Sequence, residues 1–174
     1  MLLQDWGSDD EMKKPVDLEQ QKFELRYGRT PGQYPNEHLE ELLQKYFSIV
    51  LDQTYATNLF PYIKAGGISA EISDKDFRWA AKEFALPQIK IVQQKLVICC
   101  GKKTFNAVRV AADEKEVETV EEGINAPFSL SGSEVWLQSH PGSWGKSNRI
   151  RYSGNADQVN VDWKNMATSF YALR

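Results

Sequence analysis

QKLVICCG, Gln94 to Gly101, is the stretch from which the fold can be read. Five apolar residues run unbroken between a lysine and a glycine, as in a short strand buried on both faces of a parallel sheet. KKTFNAVRVAA, residues 102–112, follows at once as a helix, with Gly101 allowing the tight turn between them. A strand that gives way directly to a helix belongs to an alternating α/β chain. Cys99 and Cys100 are adjacent, so in a strand they point to opposite faces. They read as two small buried thiols rather than a disulfide or a ligand pair.

Working outward, NEHLEELLQKYFSIVL (36–51) reads as an amphipathic helix capped by Asn36. Leu39, Leu42, Leu43, Tyr46, Phe47 and Val50 recur at helical spacing, and His38 beside the cap reads as surface. YATNLF (55–60) reads as a short strand that ends in the loop PYIKAGGIS. Ser73 with Asp76 forms a capping-box pattern that opens SDKDFRWAAKEFAL, and Pro87 interrupts or restarts that helix. FSLSGSEVWLQSHPG (128–142) holds two short strands around Ser-Gly-Ser. ADQVNVDWKNMATSFYAL (156–173) is a C-terminal helix with Val159, Trp163, Met166 and Phe170 on one side. The region from Asp9 to Pro35 is polar, with short helical turns around Val16 to Arg26.

The expected fold is therefore α/β. It is a three-layer sandwich with a central, mostly parallel sheet of about four strands flanked by helices on both faces. Its 174 residues suit a single domain, 1–174. Only two residues precede the segment LQDWG, so the first strand either begins upstream of Met1 or is very short.

No apolar run approaches the roughly 20 residues of a membrane span, and the start is not a signal peptide. A cytoplasmic monomer is expected, with no membrane contact. The net charge of −3 weighs lightly against nucleic acid, but the charge is unevenly spread. Asp113 to Glu122 carries six acids against one lysine, whereas Trp144 to Tyr152 carries Lys146, Arg149 and Arg151 with no acid. The first reads as a solvated face or loop. The second is either the same or a phosphate contact.

The polar residues of interest fall after the strands: Asp5 after LLQ, Asn58 after YAT, Gly101 after LVICC and His140 after VWLQ. In parallel α/β sheets ligands gather at the carboxyl ends of the strands. Each residue alone has a structural reading as a turn, a strand cap or a core histidine. Together they make a set of tools: an acid to orient water or support a cation, an amide to read a donor–acceptor edge, and an imidazole to stabilise a developing anion. No nucleophile elbow and no metal-ligand cluster is visible, so neither metal nor cofactor is expected.

With these motifs in view, the chain resembles the uracil-DNA glycosylase superfamily along nearly its whole length. LQDWG (3–7) stands where that family has Gly-Gln-Asp-Pro-Tyr, and TNL offers Asn58 where a strand ends in the asparagine that reads uracil. QKLVICCGKKTFNA resembles the strand that closes in glycine before a helix, and HPGSW (140–144) stands for His-Pro-Ser-Pro-Leu. The resemblance implies hydrolysis of the N-glycosidic bond of a flipped uracil or modified pyrimidine in single- or double-stranded DNA. It makes Asp5 and His140 catalytic, Asp5 at the water or the sugar cation and His140 at the base O2. It implies base contacts from Asn58, Gln4 and a stacking aromatic, Tyr34 or Tyr27. Trp144 matches the wedge that enters the duplex where the base leaves, or else is a packed loop tryptophan. Lys146 and Arg149 would hold phosphate beside it.

Two departures narrow the expectation. Gly7 stands where the best-known branch has the tyrosine that excludes the thymine methyl, so that screen is either missing, which admits bases other than uracil and larger modified pyrimidines, or supplied elsewhere. Two cysteines fall short of the four that the iron–sulfur branches need. Two other readings remain beside the enzyme: a non-catalytic member of the fold that binds nucleic acid or a protein partner, and a flavodoxin-like protein that handles a small molecule.

Overall fold

Alternation along a single strand separates the two halves of the core. In the computed structural model, which describes residues 1–5, 7–15, 17–27, 29–67 and 69–172, Val97 and Cys99 join one buried cluster. Ile98 and Cys100 join the other, on the opposite face. The strands are β1 (Leu2–Asp5), β2 (Thr57–Phe60), β3 (Leu96–Cys100), β4 (Phe128–Leu130) and β5 (Ser133–Gln138), in the order β2-β1-β3-β5-β4. β2, β1, β3 and β5 are parallel, and β4 pairs antiparallel with β5. The described residues thus form five strands where about four were expected. β4 is added at the edge by a two-residue hairpin whose Ser131 and Gly132 both have positive φ, the twist such hairpins require.

The helices are α1 (Asp9–Met12), α2 (Leu18–Tyr27), α3 (Tyr34–Phe47), α4 (Asp74–Ala80), α5 (Leu86–Val92), α6 (Lys102–Ala111), α7 (Val120–Ile124), α8 (Ser143–Ser153) and α9 (Gln158–Ala172). One core cluster packs α4, α5, α6 and α7 against Leu2, Leu59, Val97, Cys99, Val135 and Leu137 of the sheet. The other packs α3 and α9 against Ile98, Cys100 and Trp136. Val159, Trp163, Met166 and Phe170 of α9 are all buried there, as their spacing requires. The result is a three-layer α/β sandwich. No helix among the described residues is long and apolar enough to cross a membrane.

Three local expectations change or sharpen. α3 begins at Tyr34 with Pro35 in its first turn, so Asn36 lies inside the helix and is not its cap. Proline suits that turn because its missing N–H has no partner there in any case. Pro87 stands in the first turn of α5, where the α-helical frame restarts, as the second of the two expected outcomes. A π-helical turn at Ala81–Ala85 joins α4 to α5, widening the hydrogen-bond frame where proline cannot donate. The Ser73 cap is present, its hydroxyl accepting the Asp76 N–H at 3.1 Å. Trp6, Val16 and Leu173, each part of a segment read from the sequence, lie outside the described residues.

Candidate active site

Because β1 sits between β2 and β3, the chain leaves β1 in one direction and β3 lies in the other, which opens a crevice at the carboxyl end of the sheet. A cleft of about 600 Å³ lies there. Gln4, Asp5, Asn58 and His140 all line it, and so do Lys64 and Arg29, neither of which the sequence had suggested.

Asp5 is the last residue of β1 and its side chain is only 11% exposed. Its carboxylate is met by the Lys64 ammonium, 3.2 Å from Oδ1 and 3.3 Å from Oδ2, and by the Gln4 side-chain amide at 3.1 Å. Lys64 is brought there by main chain. The loop after β2 runs beside the segment after β1: Lys64 N–H donates to the Gly7 carbonyl at 3.3 Å, and Asp9 N–H donates to the Lys64 carbonyl at 2.9 Å. With Lys64 only 7% exposed, the pair is largely withdrawn from water. Each charge needs the other, because an unpaired buried ion costs about 3–5 kcal/mol.

His140 follows β5 in the turn His-Pro-Gly that leads into α8. The Gly142 N–H donates to its Nδ1 at 3.0 Å. Nδ1 is therefore the unprotonated nitrogen, and Nε2 carries the hydrogen. Burial lowers the His140 pKa below its ordinary 6.5, and the charge of Asp5 opposes this in part. The ring is accordingly a neutral N–H donor at neutral pH. Two glycines make this turn possible. A Cβ on Gly142 would crowd the imidazole, and one on Gly145 would collide with the His140 carbonyl.

His38 is a correction. Read as a surface residue, it is buried, and its Nδ1 donates to the Pro141 carbonyl at 2.9 Å. α3 thereby holds the loop that carries His140. Tyr34 also departs from expectation. It stacks on His38 with ring centroids 5.3 Å apart and accepts a hydrogen bond from Lys146 at 3.2 Å, so it braces this loop instead of forming the cleft wall. Tyr27, the alternative, packs against Phe23 on α2. Lys146, placed near phosphate by the sequence, lies one turn into α8 beside Tyr34.

Asn58 lines the cleft, but within β2 rather than after it, level with Leu3, because the strand continues to Phe60. Trp144 stands at the cleft rim in the first turn of α8 and is 84% exposed, so it is not a packed loop tryptophan. Arg149 faces the other way. Its guanidinium is buried against Asp162, with Nε–Oδ2 at 2.6 Å and Nη2–Oδ1 at 3.0 Å, and also meets Glu121. The expected phosphate contact is replaced by an internal ion pair that ties α8 to α9.

Among the described residues no group of three or more His, Cys, Asp or Glu side chains could hold a metal ion. The chain matches no protein-family model and no curated protein.

Proposed function

We propose that the protein is a DNA N-glycosylase that takes a flipped uracil or modified pyrimidine into this cleft and hydrolyses its glycosidic bond. The observation that carries the reading is the state of His140. An imidazole whose neutral form is favoured by burial, with Nδ1 already satisfied by Gly142, lines a cleft that also contains a carboxylate, and its one free N–H remains to be used there. Such a donor suits an oxygen that gains negative charge as the C1′–N1 bond breaks and the base departs as an anion. Asp5 stabilises the positive charge left on the sugar and accepts a proton from the water that adds to C1′. Asn58 offers both a donor and an acceptor to the edge of the base. Trp144, exposed at the rim, fills the gap in the stack, and Lys146 meets the backbone beside it.

A second reading rests on one contact. Both oxygens of Asp5 lie within 3.3 Å of the Lys64 ammonium, which occupies the carboxylate and favours a protein that binds nucleic acid without cleaving it. Base release from a short single strand with one deoxyuridine, read by alkaline cleavage, separates the two. Release by the wild type, with a loss of about 10²–10³-fold in His140→Ala, is the expected result. If DNA binds but neither deoxyuridine nor a series of modified pyrimidines is released, the second reading replaces the first. A thermal melt must accompany Asp5→Asn, since that change leaves Lys64 without its counter-charge.

A further inference from the structure

Lys64 is the residue that the hydrolytic reading leaves without a task. A lysine 93% withdrawn from solvent is unusual, and this one lines the cleft instead of supporting it from behind. Its ammonium touches both oxygens of the carboxylate placed at the sugar. We propose that Lys64 is a nucleophile that forms an imine with C1′ of the abasic deoxyribose, giving the site a second activity as a β-lyase. This rests on the same reading to the extent that the sugar must lie at Asp5.

The chemistry closes on the residues present. In the free protein the pair is ammonium and carboxylate. When DNA covers the cleft and removes water, the proton passes from Lys64 to Asp5, because a neutral pair costs less to desolvate than two ions. The neutral amine adds to the aldehyde carbon of the ring-opened sugar, and the carbonyl oxygen, held by the His140 N–H as it gains charge, takes the proton that the nitrogen sheds. The proton on Asp5 then leaves with that hydroxyl as water, producing the protonated imine and restoring the carboxylate. Asp5 next removes a C2′ proton. The electron pair of that C–H bond forms C1′=C2′ as the imine pair moves onto nitrogen; the nitrogen pair then restores the imine, the C1′=C2′ pair becomes C2′=C3′, and the C3′–O bond breaks with its electrons leaving on the phosphate-bearing strand. Water hydrolyses the imine and returns Lys64. No oxidant or metal enters.

The test uses the wild-type protein with a duplex that already contains one abasic site, treated with borohydride, which reduces an imine to a stable amine. The expected result is a covalent protein–DNA band whose adduct maps to the peptide carrying Lys64. Lys64→Arg, which keeps the charge, should lose the band, while wild-type mapping keeps the test valid if that variant folds poorly. No adduct, or an adduct on Met1 or another lysine, overturns the proposal. The outcomes also separate the two readings. Base release from deoxyuridine without an adduct leaves a simple hydrolase and removes the lyase. An adduct without base release keeps the lyase and removes the glycosylase.

Discussion

His38 and Pro141, 103 residues apart in the chain, are joined by a hydrogen bond of 2.9 Å from the imidazole Nδ1 to the carbonyl oxygen. The bond fixes the residue next to His140 to the start of α3, so the His140 imidazole is held from both sides, by His38 through Pro141 and by Gly142 directly. His38→Ala should cost about 1 kcal/mol of stability for the lost bond, more if the carbonyl stays buried. Base release should fall about tenfold or further, since small misplacements of a reacting group are expensive. Denaturant melts and single-turnover rates measure the two effects. A large stability loss with an unchanged rate would make His38 a packing residue only.

Gly145 is the closer constraint on the same turn. A methyl group there meets the His140 carbonyl, so Gly145→Ala must displace α8 and the His140 turn from one another. The expected cost is about 1–3 kcal/mol. Because Trp144 moves with the helix, DNA affinity should weaken along with the rate.

The pH dependence follows from burial of His140. Its pKa is lowered in the folded state, so the unfolded chain takes up its proton first as pH falls. The stability associated with the neutral ring is complete above about 6.5 and is lost as pH drops through the lower folded value. Turnover should therefore stay level through pH 6.5 and decline only below it. A pH–rate profile that bends at or above 6.5 would show that the ring is not kept neutral.

Arg149 gives the opposite prediction to Lys146. Arg149→Met leaves Asp162 buried without its partner and should destabilise the protein by about 3–5 kcal/mol. Arg149→Met with Asp162→Leu should recover most of this loss. Lys146→Ala should leave stability within about 0.5 kcal/mol and lower the salt dependence of DNA binding by about one unit of slope. Chemical denaturation and binding titrations at several salt concentrations check both.

Trp144→Ala removes a side chain that is almost wholly in water, so the fold should be unaffected. Release from duplex should fall more than release from a single strand, because only the duplex has a gap to fill. Equal losses on the two substrates would remove the wedge role.

Cys99 and Cys100 are both fully enclosed, and burial pushes the Cys100 thiol up to about 11 and Cys99 higher still. Neither thiolate forms near neutral pH. The native protein should resist iodoacetamide and take up two equivalents once unfolded, which mass spectrometry can count.

The local code of the chain was strong where periodicity and burial coincide. LVICC alternates between two cores, Ser73 caps its helix, and one side of α9 is buried, all as residue order alone implies. These features depend on neighbours in sequence, and a strand with period two or a helix with period 3.6 writes them directly into the order of residues. The placing of Asp5 at the end of β1 and of His140 just after β5 was legible for the same reason.

What tertiary structure decided is which distant groups meet. Arg149 read as a basic residue in an acid-free segment, but Asp162, from another helix, turns it inward. His38 read as surface because it stands beside the expected helix cap, but the chain returns Pro141 to it. Lys64 carried no signal in PYIKAGG, since its role depends on the loop after β2 lying beside the segment after β1. A charge shows its sign in the sequence but not its partner. Pairing is a property of the packed molecule, where burial makes an unpaired charge costly and so selects the geometry that satisfies it.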